Sequence, residues 1–376
     1  MEALKKDFYD NLYLASIVNF KPYSKERIEL NTPLDKLTEA LSNLICEEKG
    51  HVIAVKVRLT IPFNIVISYN GKIKDPEGYV KELFGHLYIL SECNALSVKN
   101  HPSNVAISKI VHKRCESRIK QRIKQLQKKT TNQELLTMIN DSLNVGSYVP
   151  ISRYCNNLAT TLEDGSPEKR KVMKVGSYHR DINFLIKLAL EDKYKSFLKN
   201  VSVSVINPIE ESIELSNLVG LIPYDDAEQV AQRLTNLKDS KANIDAIYGK
   251  LGYKFNLVKT QYLHAELALL IKPLSKEYSI GISKLCCLPC YRYIQYIKKK
   301  HSINIIVRGC HQKIYNNWMI PPNADQDFIK EIRNELVVII KRSIPTVSKT
   351  SIKSDSSGGD VDDDETDFVA DDILFG

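Results

Sequence analysis

Two short strings carry the sharpest chemistry in this chain: His264-Ala265-Glu266 and Cys287-Leu288-Pro289-Cys290. They offer one imidazole, one carboxylate and two thiolates. An imidazole and two thiolates suit a tetrahedral zinc ion whose fourth position is left to water. Each string is expected to open a helix. A Cys-x-x-Cys at a helix start lets both sulfurs reach one metal, and the helix N-terminus eases their negative charge. Glu266, two residues after His264, then faces the metal-bound water without ligating. His264, Cys287 and Cys290 are therefore the expected Zn2+ ligands and Glu266 the expected proton carrier. The chemistry is hydrolytic removal of an amine from the ring carbon of a base. The competing reading is a closed structural zinc site, which needs a fourth ligand from Cys286, Cys310 or His311. Cys286 also stands where the generic string has Pro, and could replace Cys287 with Cys-x3-Cys spacing.

The rest of the chain must position these groups. At 376 residues with 43% hydrophobic content there is material for one elaborated domain or two ordinary ones. Net charge is +8 but unevenly placed. From Thr346 onward nine acids face only Lys349 and Lys353, so the body is strongly basic, as suits a polyanionic partner. Eight cysteines without an apolar leader at the N-terminus suggest a reducing, cytoplasmic setting, where clustered thiols bind metal or react. Cys46, Cys93, Cys115 and Cys155 stand singly and read as buried thiols. No apolar run approaches the length, about 18 residues, that spans a bilayer, so no membrane role is expected.

An N-terminal helix is followed by a Pro22 turn. Thr32-Pro33 then caps a helix carrying Leu34, Leu37, Leu41, Leu44 and Ile45. Two β-branched runs, 51–59 and 63–69, form a hairpin across Thr60-Ile61-Pro62, and Asn70-Gly71 ends it. Helices are expected over 79–90, 105–129, 132–144, 181–199 and 227–248, with a β-like run at 201–206 and an exposed loop at 163–171. Near the two strings, strands at 254–258, 278–283 and 303–307 alternate with helices starting at His264 and Cys287, and 328–344 closes the segment as an amphipathic helix. Such alternation implies an α/β sheet with crossover connections. Residues 354–376 are acidic, without helical period, and read as disordered. Phe368, Ile373, Leu374 and Phe375 lie among these acids.

The run Ile280-Gly281-Ile282-Ser283-Lys284-Leu285-Cys286-Cys287-Leu288-Pro289-Cys290 resembles the OTT-type nucleic-acid or nucleotide deaminases. So does Val307 to Pro321, which contains Arg308-Gly309-Cys310-His311 and Asn317-Trp318. The resemblance implies a cytidine-deaminase-like three-layer core, zinc, a nucleic acid or nucleotide substrate, and a link to effector or toxin roles, with export into a host cell as one setting. In that fold a helix and hairpin precede the His-x-Glu helix. The helix at 34–45 and the hairpin at 51–69 fit that place, so the core is expected to be split. Residues 1–75 then form its first part, 76–250 a mainly helical insertion, 251–345 the zinc-binding part, and 346–376 the tail. Asn70 becomes the counterpart of a sugar-contacting Asn, against the plainer reading of a turn pair.

His311 is a candidate to orient substrate or bind phosphate, set against a structural role, and Trp318 reads as a packing anchor. Between Lys109 and Lys129 nine basic residues face the single acid Glu116. On one helix, Arg114, Arg118, Arg122 and Lys129 fall near one another, as a polyanion contact or as a solvated or internal face. The function from another class is a catalytically inactive, zinc-stabilised module that binds protein or nucleic acid. A free-nucleoside deaminase is a further alternative.

Overall fold

The computed structural model describes residues 2–18, 26–94, 96–215, 257–271 and 277–347. Helix α1 (Glu2–Val18) turns Phe8, Leu12 and Ala15 inward at helical spacing. After a short β1 (Glu26–Arg27), helix α2 (Pro33–Ile45) starts where the sequence suggests. The Thr32 side chain accepts from the Asp35 N–H, and Asp35 accepts from the Thr32 N–H, with Pro33 in the first turn. The expected hairpin is β2 (Ile53–Arg58) and β3 (Phe63–Tyr69), antiparallel, with Ile53 opposite Tyr69.

A helical layer follows: α3 (Pro76–Ser91), α4 (Pro102–Arg114), α5 (Glu116–Gln127), α6 (Gln133–Val145), α7 (Val149–Leu158), α8 (Pro167–Leu190) and α9 (Asp192–Leu198). Three differences from the sequence reading have local causes. The single helix expected over 105–129 is two, because the chain leaves helical geometry at Cys115 (φ −93°, ψ 11°). Ser166 caps α8 through the Lys169 N–H, so the loop expected over 163–171 is helical from Pro167. Helix α7 is not among the expected helices, and Pro150 stands in its first turn, where it needs no N–H.

The β-like run is β4 (Val201–Ile206), and it joins the main sheet, so the stretch expected as an insertion contributes a strand to that sheet. Then come β5 (Glu210–Leu215), β6 (Leu257–Tyr262), the one-turn α10 (Ala265–Ala268), β7 (Glu277–Ile282), α11 (Leu288–His301), β8 (Asn304–Ile306), β9 (Gly309–Cys310) and α12 (Gln326–Val347). The expected Pro22 turn, the helix at 227–248, residues 254–256 of the expected strand and the tail from 348 lie outside the described residues.

Five strands form a mixed sheet in the order β4-β3-β2-β7-β8. The pairs β2–β3 and β2–β7 are antiparallel, while β3–β4 and β7–β8 are parallel. Thus β7, the strand between the two chemical strings, lies against β2, more than two hundred residues earlier in the chain. Alternation sends residues to opposite faces. Ile53, Val55, Val57, Ile65 and Ile67 pack with α2 and the helical layer. Ala54, Ile280, Ile282, Ile305 and Val307 pack with α1, α11 and α12. The result is three layers, with one core on each face of the sheet. Gly281 allows α2 to lie close on β7, since a Cβ there would fall 2.0 Å from the Thr38 backbone. A ribbon of β5 and β6 and a short β1–β9 pair complete the strands among the described residues. Among those residues no helix is long and apolar enough to cross a membrane.

Candidate metal centre

His264 is the N-cap of α10, in extended backbone (φ −64°, ψ 147°). Its side chain makes no capping bond, which leaves the ring for other partners. The strand before it is tied on both sides: the Leu263 N–H donates to the Ile209 carbonyl at 2.9 Å, and the Tyr262 N–H to the Asn317 carbonyl at 2.8 Å. Cys287 is the N-cap of α11, so Cys290 falls in its first turn, with Pro289 beside it. The β7 strand carries the chain from the first string to the second.

The four side chains converge. His264 Nδ1 lies 3.4 Å from Cys287 Sγ and 3.3 Å from Cys290 Sγ. With Glu266 included, the donor atoms all lie within 4.8 Å of one another. Tetrahedral zinc with ordinary N and S bond lengths holds those atoms roughly 3.6 Å apart, so a few tenths of an ångström of opening admits the ion. Cys287, Cys290 and Glu266 are buried, and His264 is partly exposed. Glu266 Oε2 is buried without a hydrogen-bond partner. A buried carboxylate oxygen of this kind is costly unless a cation, water or substrate meets it.

The electrostatics also suit a cation. Burial works against the Cys287 thiolate, but the hydrogen bond from Cys290 and the charge of His264 outweigh it and bring its pKa down to about 6. Burial likewise opposes charge on His264, yet the Cys287 thiolate pushes its pKa up to about 9. Burial and the neighbouring Cys287 hold the Cys290 thiol well above its ordinary range. A divalent cation replaces the protons in this cluster, and binding releases them.

The alternative ligands lie elsewhere. Cys286 is bridged to Cys310 through the backbone, its N–H donating to the Gly309 carbonyl and its carbonyl accepting from the His311 N–H, each at 3.0 Å. Cys310 Sγ accepts from the Gln312 N–H at 3.2 Å. Among the described residues neither joins the cluster of ligand atoms, nor does His311. Burial raises the Cys286 thiol well above its ordinary value, as for a packed, protonated cysteine.

Asn70 stands at the end of β3. Its Oδ1 accepts from the Val52 N–H and its own N–H donates to the Val52 carbonyl, clasping the hairpin. His311 Nδ1 accepts from the Lys313 N–H at 3.0 Å. Tyr315 lies edge-on to both histidines, 5.7 Å from the His264 ring and 5.8 Å from that of His311. A Tyr in an irregular loop carries no period, so nothing in the sequence singles out Tyr315. Trp318 is a packing anchor, wholly buried with its ring 5.7 Å from Phe8. It also donates its indole N–H to Cys290 Sγ at 3.1 Å.

The basic stretch is sorted by residue type. Lys109, Lys113, Lys120, Lys124, Lys128 and Lys129 are exposed, while Arg118 and Arg122 are buried. Arg114 is mostly covered and paired with Glu47 at 2.6 Å. Of the readings of this row, its arginines take the internal one, while Lys129 stays exposed. Arginine goes inward because its planar donors can satisfy several carbonyls at once.

The His-x-Glu and Cys-x-x-Cys strings thus converge at two helix starts beside one mixed sheet, as a His-Cys-Cys metal centre with an adjacent carboxylate requires. Residues 263–322 match the family model described as OTT_1508_deam-like deaminase, and the resemblance read from the sequence holds over that segment. Neither the curated proteins nor the solved structures compared with the chain gave a match.

Proposed function

We propose that this chain is a zinc-dependent hydrolytic deaminase acting on a nucleobase in nucleic acid or a nucleotide. The observation that carries the reading is the buried, unpartnered Glu266 Oε2 beside a His-Cys-Cys donor set of zinc-like spacing. A closed structural site has no use for such a carboxylate. Bound zinc supplies Lewis-acid activation of water at neutral pH. His264, Cys287 and Cys290 hold the ion. Glu266 takes one proton from the attacking water to the ring nitrogen and then carries a second, from the hydroxyl of the adduct, to the departing amine. One C–O bond forms, one C–N bond breaks, and ammonia leaves.

On the substrate side, Asn70 Nδ2 is proposed for a sugar hydroxyl, and His311 with Tyr315 for the base or phosphate. The polyanion contact proposed for 109–129 rests on its exposed lysines. The test is ammonia release from oligonucleotides and mononucleosides, with Glu266→Gln as the control. We expect Glu266→Gln to keep its zinc and lose activity by about 10²–10⁴-fold. Equal ammonia release by both proteins contradicts the assignment. Zinc without turnover on any base favours the non-catalytic binding module.

A further inference from the structure

The lone tryptophan of the chain sits at the metal cluster, and its one polar atom points at a ligand sulfur. Trp318 is fully buried, so no bulk water competes for its N–H. Its place is fixed by the strand that presents His264. The Met319 N–H donates to the Tyr262 carbonyl at 3.0 Å, and Tyr262 pairs across to Trp318. Helix α1 braces it from the other side, with Phe8 against the indole and the Tyr9 hydroxyl accepting from the Ile320 N–H at 3.1 Å. One short segment thus sets the imidazole and one sulfur together.

We propose that Trp318 is a positioning residue of the metal centre, its indole N–H fixing the Cys290 sulfur and taking up part of its negative charge. The inference rests on reading the cluster as a metal site. Two thiolates on one zinc push electron density onto the ion and blunt it as a Lewis acid. A hydrogen bond to one sulfur draws that density back, and it leaves the sulfur a single orientation. Outer-shell partners of this kind typically govern metal affinity about 10–100-fold.

The experiment is Co2+ and Zn2+ titration of the full chain against a competing chelator, for wild type, Trp318→Phe and Phe8→Leu, with the sulfur-to-cobalt charge-transfer band recorded. Trp318→Phe removes only the donor, while Phe8→Leu loosens the same packing and keeps it. We expect Trp318→Phe to lose affinity about 10–100-fold and its band to move to lower energy, because the sulfur lone pairs are no longer stabilised. Phe8→Leu should keep the band of wild type. Unchanged affinity and band in Trp318→Phe, or an equal band shift in Phe8→Leu, overturns the inference. Failure of wild type to bind either ion overturns the metal reading itself and the inference with it. Should Trp318→Phe fail to fold, the wild-type protein decides by ultraviolet resonance Raman of its single indole. A hydrogen-bonded N–H marker that moves on metal loading supports the proposal, and a free N–H marker contradicts it.

Discussion

The two faces of the sheet bury their polar groups in different arrangements. Toward α11 two thiols and a carboxylate are buried around the partly exposed His264 as one cluster of cation ligands, and the buried Lys56 is satisfied separately by the Leu269 carbonyl at 3.1 Å. Toward α5 and α8 the buried charges are Arg118, Arg122 and Lys174 together with Asp181, which accepts from the Asn43 amide at 2.7 Å. Arg118 donates to the Asn43 side-chain and backbone oxygens at 3.2 and 3.4 Å and to the Ser283 carbonyl at 3.4 Å. Arg122 donates to the Lys174 carbonyl at 3.0 Å and lies 5.1 Å from the Tyr178 ring centre. The histidines register the contrast. On the metal face the Cys287 thiolate overrides burial and lifts His264 to about 9. On the helical face burial, with Arg153 and His112 adding to it, brings His179 down to about 4. The helical face holds its charges with partners of its own, whereas the metal face is arranged for a cation.

That contrast can be broken at Arg118, which touches both sides. Its bond to the Ser283 carbonyl ties α5 to the loop that leads into Cys287. Arg118→Ala leaves buried oxygens unpaired and opens a cavity, for an expected loss of about 3 kcal/mol in chemical denaturation. Wild-type stability in that variant would mean the helical face does not depend on its buried cations.

A smaller effect is expected in acid. His179 has its folded pKa below the ordinary 6.5, so its contribution is present above pH 6.5 and is lost as pH falls through about 4. Discounted for partial solvent screening, the loss is on the order of 1–2 kcal/mol. His179→Gln should flatten that part of the stability–pH curve, and an unchanged slope would contradict the assignment. The smallest effect belongs to the outer side of α5. Changing Lys120, Lys124 and Lys128 to Ala should move stability by less than about 0.5 kcal/mol per site. The polynucleotide contact proposed for these lysines predicts weaker, less salt-dependent binding in the same variant.

The metal face was legible in the sequence because its chemistry is local. Two helix starts, each a few residues long, specify His264, Glu266, Cys287 and Cys290, and the β-branched run between them specifies β7. The helix α2 and the β2–β3 hairpin were legible for the same reason, through a capping box and alternation. What was not legible depends on packing between distant segments. Lys and Arg count alike in a charge run, yet only burial against α2 and α8 separates Arg118 and Arg122 from the lysines. The Val-Ser alternation of β4 suits a half-buried strand, but nothing local says that it joins the sheet beside β3. Trp318 reads as a core residue from its type, and its bond to Cys290 exists only because β6 and α1 hold it there.

The most direct test of the account is zinc per chain by metal analysis, on wild type and on Cys287→Ala. The metal-face reading predicts about one zinc per wild-type chain and none in the variant, since three protein ligands are the minimum of such a site. A well-folded wild-type protein without zinc after zinc loading, or a variant that keeps its full complement, would contradict it.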